Sequence, residues 1–273
     1  MNVEIRRTFF FNNKPVYFQE KVNINPEYYA LLRDRLKIKK IIGKNFVRFG
    51  KANDGGYIMV DNFHASEGIA YSFGISDDVS WDLDMANRDY EIFQYDMTIN
   101  SLPQDNEHFH FFSEGIGAVK DAEKSLDTLE NFVSRNGHLD KQDMVLKMDV
   151  EGAEWDFLYT MSQGFLSHFD QMVFEFHNLI QPKNFYNMAV TLELLKKINA
   201  THTLVHLHGN NYGSCLQIED LGTFPDILEL TYLRTDNYTF VDDENIFLPI
   251  ELDQPNKAGF PEIQLGYWNK FTL

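Results

Sequence analysis

The chain has 273 residues with 24 Lys and Arg against 41 Asp and Glu, a net charge of −17 that repels phosphate backbones and excludes a general nucleic-acid binder. Its 44% hydrophobic and 24% charged content is that of a globular protein, not of a disordered or fibrous one. A single cysteine, Cys215, excludes an intramolecular disulfide framework and a zinc site built mainly of thiolates.

The charge is uneven. Residues 1–50 carry 11 basic and 4 acidic side chains, so an acidic body follows a basic start. That start either presents a solvated helix face or docks a partner or an anionic lipid surface through Lys39, Lys40, Lys44 and Arg48. No apolar run of signal-peptide type follows Met1–Arg7, and no apolar stretch is long enough to span a bilayer; the expectation is a cytoplasmic protein without a membrane span.

In chain order, Asn25-Pro26-Glu27 reads as a helix cap, a proline at the first helical position and an early acid. Tyr28, Leu31, Leu32 and Leu36 continue at helical spacing toward Gly43. We read 1–44 as an extension with an accessory helix and 45–273 as the main domain, including a loop-rich tail. Seven apolar runs rich in β-branched and aromatic residues follow: 69–73, 91–95, 109–112, 144–148, 172–176, 203–207 and 227–232. Helical patterns separate several of them, such as Trp155, Leu158, Met161 and Phe185, Met188, Ala189, Leu192, Leu195, Ile198. Strands alternating with helices imply a doubly wound α/β fold, whose ligands gather at the carboxyl ends of a mostly parallel sheet.

Chemistry-bearing residues fall at those ends. The strand closing the run Val145–Asp149 delivers Asp149 and Glu151, which alternation would place on one side, with Glu154 reading as a first-turn helix acid. The next strand ends in Glu175, His177 and Asn178, and the one after in His206, His208, Asn210 and Asn211. Asp149, Glu175 and His177 have the donor chemistry of a divalent metal site such as Mg2+ or Mn2+, without a metal motif's spacing. Gly74 follows the first strand and Asp96 ends the second, 22 residues later, an interval suited to a nucleoside. The missing further glycines argue against a pyrophosphate cradle. Asn53-Asp54-Gly55-Gly56-Tyr57 reads as a hairpin turn or as a loop folding over a cofactor, and Glu114-Gly115 follows the third strand.

Lys147-Met-Asp-Val-Glu-Gly-Ala-Glu-Trp155, followed by Phe174–His177 and His206–Asn211 and preceded by Asp54–Tyr57, resembles the FkbM-type methyltransferases of the class I S-adenosylmethionine-dependent superfamily. Read by eye, the resemblance covers about 45–235. It implies a Rossmann-like sheet of seven strands, six parallel and one antiparallel. It further implies S-adenosylmethionine held near Asp54, Gly55, Gly74, Asp96, Glu114, Gly115 and Asp149, and O-methylation of a sugar, glycan or related natural product. Asp149, Glu151 and His177 would then serve catalysis, with Asn178, His206, His208, Asn210 and Asn211 lining the acceptor. A non-catalytic scaffold domain and a metal-dependent hydrolase using Asp149, Glu175 and His177 are the alternatives. An oligomer is compatible with all three.

Overall fold

The structure is a computed structural model that describes residues 2–11, 14–63, 68–180 and 185–270; side chains are described from residue 24 onward, and those of Phe185 and Tyr186 lie outside the described set. Its centre is a seven-stranded sheet: β1 (Gly68–Phe73), β2 (Tyr90–Tyr95), β3 (Phe109–Phe112), β4 (Met144–Met148), β5 (Phe169–Phe176), β6 (His202–Gly209) and β7 (Leu228–Arg234). The strands lie in the order 3-2-1-4-5-7-6, with β7 antiparallel to both neighbours and every other pairing parallel. Every residue of β1, β4 and β5 is buried, as expected of parallel strands covered on both faces. The chain therefore has the expected α/β fold.

Six helices accompany the sheet among the described residues: α1 (Pro26–Arg35), α2 (Ser80–Ala86), α3 (Leu129–Arg135), α4 (Glu154–Thr160), α5 (Gln163–Leu166) and α6 (Phe185–Asn199). The Asn25 side chain caps α1 by accepting from Glu27 N at 3.1 Å. Two tyrosines fasten that helix to the segment after β5, Tyr28 Oη donating to Leu179 O and Tyr29 Oη to Ile180 O. The helix stops eight residues short of Gly43, because Lys39–Ile41 instead pairs as a strand with Phe240–Asp242.

The extension contains more than a helix. Asn2–Phe11 and Lys14–Asn23 form a hairpin that pairs with Cys215–Ile218, itself paired with Gly222–Pro225. Of the basic residues, Lys39 and Lys40 lie beside Asp242 and Asp243 on the surface, an arrangement of little energetic weight.

A second hairpin sets the site. Phe46–Phe49 pairs with Tyr57–Val60, so the Asp54-Gly55 segment is its connecting loop. Gln171 of β5 clamps it by accepting from Val60 N at 2.7 Å and donating to Val60 O at 3.1 Å. The loop is thereby brought to the carboxyl edge of the sheet.

Candidate active site

A cavity of about 420 Å³ opens at that edge, within the range of small-molecule sites. Its walls come from the hairpin loop (Asp54, Gly55, Tyr57), the turn after β1 (Gly74 to Asp78), the end of β2 (Asp96 to Thr98), Gly115-Ile116, and the β4 exit (Lys147, Asp149 to Glu151). Gly74 has a φ of +78°, and a Cβ there would collide with the Asp149 carbonyl oxygen. The glycine thus lets the turn after β1 lie against the β4 exit, where Asp149 N donates to Phe73 O at 3.1 Å. Lys147, buried in β4, holds the same turn by donating to Gly74 O at 2.7 Å.

Asp96 orders this turn. Its Oδ2 accepts from the amides of Ile75 and Ser76 at 2.8 Å each, and its Oδ1 from Thr98 N and Oγ1 at 2.7 and 2.6 Å. Burial alone would raise the Asp96 carboxyl, but these donors outweigh it and hold the group below its ordinary value. A Cβ on Gly115 would meet Met97 Sδ at 2.6 Å and Leu126 Cδ2 at 2.9 Å, so the absent side chain lets Met97, next to Asp96, pack against this backbone in the cavity wall. Glu114 does not line the cavity; Arg135 holds its carboxylate with two hydrogen bonds of 2.9 Å.

The reactive groups converge at the β4 and β5 exits. Strand β4 ends at Met148, and a turn with Glu151 at φ +55° brings Asp149 and Glu151 to one cavity, where strand alternation was expected to do so. Ligand atoms of Asp149, Glu151 and His177 lie within 4.8 Å of one another. His177 Nε2 is 3.3 Å from Glu151 and 3.5 Å from Glu175. Its Nδ1 faces Glu154 Oε1 at 3.3 Å and Glu175 O at 3.1 Å, both acceptors, which fixes the proton on Nδ1 and turns Nε2 toward the carboxylates. Burial would lower His177, but the hydrogen bond and charge of Glu154, with Glu151 and Asp149, hold it above its ordinary value. Burial first, then the charges of Asp149, Glu229, Asp54 and Glu151, push the Glu175 carboxyl well up.

Residues 18–212 match the family model described as the Methyltransferase FkbM domain. The chain belongs to the FkbM methyltransferase family. The match includes α1 and ends before β7, whereas the sequence motifs suggested a span of about 45–235. No curated protein matches the chain. Among solved structures, a variant of the 16S rRNA (adenine(1408)-N(1))-methyltransferase from Catenulisporales acidiphilia is 9% identical, covering 86% of this chain and 98% of that chain with a TM-score of 0.29; no argument rests on so low a score.

In this FkbM methyltransferase, seven residues singled out from sequence line one cavity or its rim: Asp54, Gly55, Gly74, Asp96, Gly115, Asp149 and Glu151. His177 and Glu175 lie just behind the rim, and Asn178 is exposed at the β5 exit with a φ of +63°. Like Glu114, the other four do not line the cavity. His206 and His208 are buried against Asp253, Glu229 and Glu262, Asn210 donates to Glu175, and Asn211 bonds the backbone of residues 257 and 261.

Three contributors were missed in sequence. Tyr57 Oη donates to Asp149 Oδ2 at 2.9 Å, and burial together with Asp149 and Glu175 keeps that phenol protonated. Lys147 holds the glycine turn as described. Glu154, read as a helix acid, is fully buried and accepts from Val150 N at 2.9 Å besides facing His177. The period-two pattern of β4 alone could have flagged Lys147 as a charged residue pointing into a buried layer.

Proposed function

We propose that the chain is an S-adenosylmethionine-dependent O-methyltransferase acting on a hydroxyl of a sugar, glycan or related natural product. The observation that carries this reading is the cavity itself, walled by the glycine turn, Gly115, Asp149 and Glu151 with His177 adjacent. S-adenosylmethionine supplies a sulfonium-activated methyl group. The chain's task is to align an acceptor oxygen with that methyl and to take the hydroxyl proton. Asp96 organises the backbone against which a ribose would lie, and Met97 and Gly115, both in the cavity wall, would border a planar base. Tyr57 fixes Asp149 at the reacting end. The acceptor proton passes to His177 Nε2, because Nδ1 is already committed to its two acceptors, and the resulting imidazolium is stabilised by Glu151 and Glu154. Asn178 and Glu151 are the acceptor-facing polar groups on this reading.

The convergence of Asp149, Glu151 and His177 favours one second reading, in which they hold Mg2+ or Mn2+ to acidify the hydroxyl. Addition of S-adenosylmethionine is expected to raise the melting temperature of the wild type, and Asp96→Ala to abolish that rise. His177→Ala should keep the rise and lower methyl transfer about 100-fold or more if it is the base. No rise in the wild type would overturn the cofactor assignment, and activity lost to EDTA but restored by Mn2+ would favour the metal.

A further inference from the structure

The segment 250–263, which follows β7 and lies beyond the family match, has almost no regular structure, yet two of its polar side chains are buried. Asp253 is 1% exposed in its side chain and Asn256 is 2% exposed. One row of contacts anchors the segment to β6 and the turn after it. His206 Nε2 lies 3.1 Å from the Asp253 carboxylate, His208 bridges Glu229 at 2.9 Å and Glu262 at 3.1 Å, Lys257 N donates to Asn211 Oδ1 at 2.7 Å, and Asn211 Nδ2 donates to Pro261 O at 3.2 Å.

A second row reaches the loop that walls the cavity. Asn53 N donates to Gln254 Oε1 at 3.1 Å and Asn53 Nδ2 to Pro255 O at 2.7 Å. Asp54 N donates to Asn256 O at 3.2 Å, while Asn256 Nδ2 donates back to Asp54 Oδ1 at 3.2 Å and also to Glu229. The base of the same loop is held separately, by Asp84 and Ser80 of α2.

We infer that residues 253–257 form a strap that positions the tip of the cofactor loop, Asp54 and Gly55, and that Asn256 is its principal positioning residue. The amide of Asn256 stands between two carboxylates that would otherwise repel each other, those of Asp54 and Glu229, and gives each a donor. The His206-Leu-His-Gly-Asn-Asn211 motif then anchors the strap and does not face the acceptor. The role assigned to the strap rests on the cavity being the S-adenosylmethionine site; the fastening of the loop does not.

The test compares the full-length wild type with Asn256→Ala by hydrogen–deuterium exchange and by calorimetric titration with S-adenosylmethionine. Loss of the strap's hold should speed exchange of the Asn53 and Asp54 amides about tenfold and weaken cofactor binding about tenfold, with the amides of Gly50 and Lys51 unchanged. Gln254→Ala, which removes one contact at a half-buried position, should move both readouts the same way by less, and decides the matter if Asn256→Ala does not fold. Unchanged loop exchange overturns the strap, as does faster exchange with unaltered affinity. A wild type that binds no cofactor overturns the functional reading instead, and the exchange data then decide the fastening alone.

Discussion

Gly74 combines three requirements in one position: a left-handed backbone, a carbonyl held by Lys147, and contact with the Asp149 carbonyl too close for any side chain. Gly74→Ala should therefore cost about 3 kcal/mol in urea unfolding and abolish the cofactor-induced rise in melting temperature. A milder loss would mean that the turn can shift away from β4. Sequence alone marked Gly74, Asp96, Asp149 and Glu151 because each follows an apolar run at a strand end, and that logic needs only local pattern. Glu154 and Tyr57 were illegible for the opposite reason. Glu154 looks like any first-turn acid, and Tyr57 meets Asp149 across 92 residues of chain. The histidines of β6 were visible as polar outliers, but their partners, 47 and 54 residues further on, gave no sign of which face they serve.

Element by element, all seven sheet strands could be read from composition because β-branched and aromatic runs in a covered sheet have little else to do. The amino-terminal hairpin could not. Its strands carry Arg6, Arg7, Glu20 and Lys21 within apolar sequence, and one of its partners, Cys215–Ile218, lies about 200 residues away. α1 illustrates how an end of the chain is tied down. The Arg33 guanidinium stacks 3.9 Å from the Trp268 ring and donates to Trp268 O at 2.8 Å, while Trp268 Nε1 donates to Leu36 O at 2.8 Å. Burial lowers Arg33 to about 10. Trp268→Ala removes a fully buried ring and leaves that guanidinium less covered, so it should cost about 3–5 kcal/mol by denaturant unfolding. A loss below about 1 kcal/mol would show that α1 docks without it.

For the molecule as a whole, an acidic protein would be expected to gain little from added base, and His208 sharpens that expectation. Burial would lower its imidazole, but the charge of Glu229, with hydrogen bonds to Glu229 and Glu262 and the charge of Asp253, raises it to about 10. Because the folded value exceeds the unfolded one near 6.5, its contribution to stability is complete below about pH 6.5 and lost as pH rises toward 10. Urea unfolding of the wild type should therefore fall by a few kcal/mol between pH 6.5 and 10, and His208→Gln should flatten that slope. Equal slopes in the two proteins would remove His208 as the cause. Among the described residues no helix is long and apolar enough to cross a membrane.

The pairing of the amino-terminal hairpin with Cys215–Ile218, and of α1 with Trp268, also dictates an order of events at the ribosome. Residues 2–36 cannot make these contacts until residues 215–268 have been translated, so they remain undocked in the interval. Chaperone capture of nascent chains stalled before residue 215 should accordingly be strong, and should fall away once residues 215–268 are released.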